Sequence, residues 1–369
     1  MEPAHRDESL TNAVALPEKT RHGIAVFWTI PGRFSGSVRK RILPRFTVSA
    51  TRSNVERPAQ NKEDLPMPLV AHLFGSLALS GSVGRSGTNK PVDIKIVKAL
   101  LNTYGRSNAQ PELPMDSADV DALATHIESF QKQKLNAPKP DGRVDPGGKT
   151  LTGLIQHLRS RYTVKSALSP TEGGLTWGTE GNEGGPYHSR RLHVPDGNSG
   201  LTLGRGYDLR ERVGATAQAD LASAGLAGGM AFKISTAAGK RGADASRFVI
   251  DNDLLDFEIT PQVQLKLFEK VYDEHLADVK RISNGAAMVG AYGKVNWDRL
   301  DLRILDVLTD LRYRGDYNKN TIPFLQKHVA NNDFAKFKAE IAKKSNWPNV
   351  PQVRFEERKA YVEIARSPG

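Results

Sequence analysis

The 369-residue chain contains no cysteine, which excludes disulfides, thiolate metal sites and a cysteine nucleophile and leaves the compartment open. Long hydrophobic runs are missing as well. None approaches the roughly 18 apolar residues of a membrane-spanning helix, and the longest candidate, GIAVFWTIPG at 23–32, is interrupted by Pro31 and Gly32. No membrane span is therefore expected. The chain also lacks a helix-turn-helix pattern or an aromatic stacking motif, so nucleic acid is not an expected partner. What it has is positive charge: 52 Lys+Arg against 41 Asp+Glu give +11, and a hydrophobic share of 38% is enough to build real cores. A basic surface favours polyanions, among them the anionic envelope of bacteria.

Residues 1–66 differ in composition from the rest. Between Arg33 and Arg57 seven basic residues face one acid, Glu56, with scattered prolines and no sustained periodicity. This predicts a disordered basic arm, either an electrostatic tether or a solvated tail. The stretch MPLVAHLFGSLALSG at 67–81 is moderately apolar but has no basic residue just before it, so it fits a secretory signal poorly.

From residue 82 the pattern becomes regular. Pro91 leads into Ile94, Val97, Leu100 and Leu101 at helical spacing, with Gly105 as an expected stop. Leu123, Ile127 and Phe130 give a second helix. A polar turn, PKPDGRVDPGG, precedes a third that carries Leu151, Leu154, Ile155 and Leu158. Residues 82–158 are thus predicted to form a three-helix bundle, followed by a linker at 159–171 and a second domain at 172–369. In that domain Thr260-Pro261 is an N-cap and first-turn pair for a long amphipathic helix. Further helices are expected around Leu300–Leu311, ending near Gly315, and over 352–365.

The segment EGNEGGPYHSRRLHVPDGNSGLTLGRGYDL, residues 180–209, is dense in glycine, which is entropically costly to order. As a dinucleotide fingerprint it fails, because Leu209 stands where a third glycine is needed. His188 and His193 are five apart and lack an evident third ligand, so no metal is expected. Ser189, His193 and Asp196 could be drawn as a triad, but no nucleophile-elbow motif accompanies them. Acid chemistry remains. Glycosidic cleavage needs a carboxylic acid to protonate the departing oxygen and a second group on the opposite sugar face, and the glycines would shape the lip of a cleft in which acids work.

Two resemblances add to this reading. VGRSGTNKPVDIKIVKALLN at 83–102, IESFQKQ at 127–133 and PDGRVDPGGKTLTGL at 140–154 resemble the peptidoglycan-binding domain found at the ends of many bacterial wall hydrolases, except that Lys98 stands where glutamine is common. Glu180-Gly181, Tyr187 and TLGRG at 202–206 resemble the phage-type lysozymes. SGLTLGRGYDL at 199–209 is closer to their pesticin-like branch, and the similarity extends to DLRYRGDY at 310–317 and RFEER at 354–358. The implied fold is mainly α (α+β): a small three-helix wall-binding bundle, then a lysozyme-like domain with a small β-hairpin element and a helical lobe. The implied activity is that of a muramidase that inverts the anomeric centre and uses no metal or organic cofactor. Glu180 matches the general acid, Thr202 the residue that holds the attacking water, and Asp208 the second carboxylate. Asp196, six residues before Thr202, fits the ordinary phage order instead, and Glu183 is a rival acid. Tyr187, Gly204, Gly206 and Tyr207 would contact substrate. The implied partner is peptidoglycan, with an immunity or inhibitor protein as a further candidate, and a monomer is expected. The site of action would be the bacterial periplasm or wall, reached through a holin or a secretion apparatus. A wall-binding structural or morphogenetic protein with an inert domain is the alternative, against which the presence of both Glu180 and Thr202 argues.

Overall fold

The computed structural model describes residues 73, 75–161, 166–184 and 188–364. The basic arm and Tyr187 lie outside the described residues. The chain is mainly α, with two small antiparallel two-stranded sheets among the described residues.

In the first of these sheets Val83–Gly84 (β1) pairs with Arg143–Val144 (β2), Val83 lying opposite Val144. Packed around that ladder are Pro91–Ser107 (α1), Val120–Leu135 (α2) and Lys149–Ser160 (α3), the three helices that periodicity predicts. Leu123, Ile127 and Phe130 are fully buried, and so are Val97, Leu100 and Leu101 of α1. Gly105 does not end α1, which runs on to Ser107. It is buried instead, and its carbonyl accepts from the N–H groups of Asn108 (2.9 Å) and Gln110 (3.0 Å) in the returning loop.

The most specific residues of this bundle do structural work. Gln131 is buried, and its Nε2 donates to Asp141 Oδ1 (2.6 Å), Arg143 O (3.0 Å) and Thr150 Oγ1 (3.1 Å). Its Oε1 accepts from the backbone N–H of Asp141 (3.0 Å) and Gly142 (3.1 Å). One amide therefore ties α2 to the β2 turn and to the first turn of α3, which explains why FQ and DGRVDPGGKT occur together. Lys98 is equally internal: its ammonium bonds the carbonyls of Pro114 and Ser117, and burial lowers its pKa. It staples the 108–119 loop and offers nothing to a ligand.

The remaining helices are Gly174–Thr179 (α4), Gly214–Ala224 (α5), Gly228–Ser235 (α6), Gly242–Asp251 (α7), Pro261–Ser283 (α8), Ala286–Tyr292 (α9), Leu302–Arg314 (α10), Ile322–Ala330 (α11), Phe334–Ala342 (α12) and Gln352–Ile364 (α13). Between α4 and α5 lies the second sheet, Thr202–Leu203 (β3) paired with Tyr207–Asp208 (β4). Thr260 caps α8, its hydroxyl accepting from Val263 N at 3.2 Å. Gly315 closes α10 in the left-handed region, φ +86°, as its composition predicts. At 23 residues α8 is about 35 Å long and bridges two cores. Val263, Leu267 and Val271 belong to the first, and Val279 to the second, built from α10 to α13.

The first core is continuous with that of the three-helix bundle. Charges reinforce the junction: Arg106 of α1 pairs with Asp253 (2.8 Å) and Asp256 (2.5 Å), and Arg161 reaches Asp256 at 2.5 Å. The arginines hold the Asp256 carboxyl below its usual range despite its burial.

Gln131→Leu roughly keeps the volume of the side chain and leaves the backbone N–H groups of Asp141 and Gly142, the second of them buried, without their acceptor. Equilibrium urea unfolding of the full chain should register a loss of about 3 kcal/mol. A loss below about 0.5 kcal/mol would show that the amide hub is dispensable.

Candidate functional site

Glu180 is the C-cap residue of α4, a short helix that packs on α10 and α13. Its backbone N–H closes the last turn on Thr176 O at 2.9 Å. The side chain is mostly buried and meets the guanidinium of Arg354 from α13. Behind that contact lies a lattice of charge. Arg354 Nη1 is 3.5 Å from Asp310 Oδ1, and Asp310, fully buried, accepts from Arg358 Nε at 2.5 Å. Arg358 in turn reaches Asp316 Oδ2 at 2.7 Å. The stretches DLRYRGDY and RFEER therefore meet as the wall behind one carboxyl.

Burial pushes the Glu180 carboxyl up, and this outweighs the opposing pull of Arg354. A carboxyl in such surroundings holds its proton at a higher pH than an ordinary glutamate, which is the property a general acid needs.

The second sheet carries Thr202 and Asp208. Thr202 lies opposite Asp208 in the β3–β4 register. His193 forms a bridge on the other side of Thr202, with N–H···O bonds of 3.2 and 2.8 Å between the two backbones. Opposed residues of antiparallel strands present side chains on the same face, so His193, Thr202 and Asp208 form one row. The alternate positions, Leu192, Val194, Leu201, Leu203, Tyr207 and Leu209, are all buried in the core. Asp208 Oδ1 is fixed by the N–H groups of Arg210 (2.7 Å) and Gly200 (3.1 Å), while Oδ2 lies 3.9 Å from Arg210 Nε.

Arg205, at the tip of the β3–β4 turn, ties that turn to the backbone on either side of Glu180. Its Nη1 donates to Trp177 O and to Gly181 O (2.7 Å), carbonyls on either side of Glu180, and its guanidinium lies over the Trp177 ring with Cζ 4.2 Å from the centroid. The Tyr313 hydroxyl donates to the carbonyl of Arg205. Gly206, φ +101°, has no room for a side chain, since a Cβ would stand 2.6 Å from that hydroxyl.

The other expected site residues are placed differently. Asp196 is exposed and closes its own turn, accepting from Asn198 N (2.7 Å), Ser199 N (2.8 Å) and Ser199 Oγ (3.0 Å), and these donors lower its pKa. Glu183 accepts from Gln264 Nε2 at 2.6 Å and lies 3.6 Å from Arg190 Nη2, in a polar cluster under the glycine-rich segment. Tyr207, expected to contact substrate, is on the core face with 1% of its surface exposed, and its hydroxyl donates to Asp220 (2.8 Å). That expectation is corrected: strand alternation turns Tyr207 away from the row. Gly204 and Gly206 face Gln264 and Tyr313, so their close approach is to protein. Ser189 bonds Asn182 O and Gln264 Oε1, which dissolves the Ser189–His193–Asp196 triad. Nor do His188 and His193 act as a pair: His188 bonds Gly184 N and Glu258, whereas His193 bonds the carbonyl of Arg191.

Arg205 and Arg354 are the residues that sequence reasoning missed. The one legible signal was that each sits inside a stretch already singled out, TLGRG and RFEER.

Residues 173–359 match a family described as a domain of unknown function (DUF8812), and the match spans α4, the second sheet and Arg354. No curated protein matches the chain.

Arg354→Gln removes the cation opposing the upward shift of Glu180, so the carboxyl should retain its proton to still higher pH. Carbon-13 NMR titration of glutamate-labelled protein would follow it directly. A midpoint that falls, or stays put, would contradict the balance of burial and charge described above.

Proposed function

We propose that this chain, which belongs to the DUF8812 family, is a muramidase that hydrolyses the β-1,4 bond between N-acetylmuramic acid and N-acetylglucosamine in peptidoglycan. The observation that carries the reading is the Arg205 clamp, which seats the turn between Thr202 and Asp208 on the backbone flanking a carboxyl whose pKa burial has raised. In this reading Glu180 protonates the departing glycosidic oxygen. Thr202 orients a water that attacks the anomeric carbon, and Asp208 takes a proton from that water. The product has the inverted configuration. Asp208 is favoured over Asp196 because it shares a face with Thr202, whereas Asp196 is committed to its turn.

The bundle of residues 82–158 would hold the enzyme on its polymer, and the net charge of +11 would favour arrival at an anionic envelope. Peptidoglycan is then the partner and the periplasm or wall the place of action.

Digestion of purified sacculi followed by mass spectrometry should yield muropeptides with reducing N-acetylmuramic acid ends. Anhydro-muramic ends would instead indicate a lytic transglycosylase, and freed stem peptides an amidase or peptidase. Either product rejects the proposal.

Within the same assay, Glu180→Gln should reduce turnover by on the order of 10² to 10⁴ with the fold retained by circular dichroism. Asp208→Asn should be severe, Asp196→Asn and Glu183→Gln much milder. A Glu180→Gln protein of wild-type rate would remove Glu180 from the mechanism.

A further inference from the structure

The row on the polar face of the second sheet has three members, and the proposed chemistry uses two. His193 is the third. Its backbone exchanges hydrogen bonds with Thr202, and Thr202 lies opposite Asp208, so the three side chains stand side by side on adjacent strands. Directly opposed Cβ atoms in such a ladder are about 4.5–5.5 Å apart. The flanking positions, Leu192, Val194, Leu201 and Leu203, are buried and alternate with this row. His193 is itself 3% exposed, deep in its row.

The ring's hydrogen bonding defines its two nitrogens. Nδ1 lies 2.8 Å from the carbonyl oxygen of Arg191, which can only accept, so Nδ1 carries the proton. In the neutral ring Nε2 is then a hydrogen-bond acceptor. Among the described residues no hydrogen bond is made to it. Burial lowers the His193 pKa, against the opposing effects of the bond to Arg191 O and the nearby Asp208 charge, and so favours the neutral ring. The Thr202 hydroxyl between them donates to Gly200 O at 3.3 Å, so the row offers a water molecule two acceptors, the neutral Nε2 and the carboxylate oxygen of Asp208, one for each of its protons.

We infer that His193 is a catalytic residue of the proposed muramidase, its Nε2 accepting one proton of the nucleophilic water while Asp208 Oδ2 accepts the other. The inference rests on the muramidase reading and extends it. In the step itself the water oxygen forms a bond to the anomeric carbon as the glycosidic C–O bond breaks. The proton facing Asp208 moves to that carboxylate, and the proton of Glu180 moves to the departing oxygen. The proton facing His193 stays on the new hydroxyl, so His193 orients the water and its charge does not change.

Two substitutions separate the nitrogens. Asparagine can reproduce the Nδ1–H donor to Arg191 O but has nothing in the position of Nε2. Glutamine can reproduce a polar atom near Nε2 and loses the bond to Arg191 O. Steady-state kinetics on soluble glycan fragments, with thermal unfolding as a control, should show kcat of His193→Asn lowered roughly 10²-fold at little-changed KM. His193→Gln should stay within roughly tenfold of wild type. An Asn variant of wild-type rate, a Gln variant more damaged than Asn, or equal losses in both would overturn the inference and assign the histidine to packing or to its bond with Arg191. These results leave the muramidase reading intact, since wild type would still turn over. A wild-type protein that releases no reducing muramic ends rejects that reading, and with it the role of His193.

Discussion

The buried guanidinium of Arg205 is the contact on which the candidate site depends. Burying a charge is costly unless it is paired and hydrogen-bonded, and here the compensation comes from two carbonyls, the face of Trp177 and the fields of Glu183 and Glu180. Each of these partners lies on or beside the segment that carries Glu180. The hairpin cannot lift from the end of α4 without exposing that arrangement. A lysine could reach one carbonyl, but a planar fork can bond while stacked on an indole. One of the glycines follows from the same contact: a Cβ on Gly181 would stand 2.8 Å from Arg205 Cγ. At Gly181, Gly200 and Gly206 the absent side chain makes room for close neighbours, Arg205 and Ser189 at the first, Asp208 and Arg210 at the second and Tyr313 at the third.

The second constraint acts on charge. Glu180 is both buried and next to a cation, effects of opposite sign, and burial prevails because Arg354 is shared. Its other nitrogen faces Asp310, and Asp310 itself adds a negative field that raises Glu180 further. Arg358 and Asp316 complete the set, so the lattice holds the guanidinium of Arg354 near Glu180 without giving it wholly to that carboxyl. Removing any single member would shift the balance in a direction set by its charge.

Much of the fold was legible in the sequence because helices bury one face at a period of 3.6 residues. The stripes at Leu123, Ile127 and Phe130, the Thr260-Pro261 start and the Gly315 stop are all where local chemistry puts them. Gly105 misled because a glycine can sit inside the last turns of a helix, and composition does not distinguish that from a cap. In the site, Glu180 could be picked out by its motif, but its surroundings could not: Arg354 is 174 residues away in the chain. Tyr207 looked exposed because it adjoins a glycine turn, yet the pleat sends it to the core. Strand alternation would have separated it from Asp208, had the two-residue strands been long enough for their phase to be read. The same phase, once known, groups His193 with Thr202 and Asp208 and leaves Asp196 in its turn.

The three-helix bundle shares its core with the lobe that carries the second sheet, and Arg106 and Arg161 tie the two through Asp253 and Asp256. A module joined by a flexible tether raises local concentration and leaves orientation free. One joined through a common core gives up that freedom. If the bundle grips the glycan, the direction in which the site meets the same polymer is set by the fold, and strands running at the wrong angle are out of reach. The acidic side of the junction then has a role in the proposed function beyond stability. Because Asp256 is held ionised by its arginines, the union is present above the ordinary carboxylate range and weakens as pH falls through the depressed pKa of that group. At the pH where a carboxyl raised like that of Glu180 is still partly protonated, Asp256 remains charged, so the acid can be ready for transfer while the bundle stays locked in place.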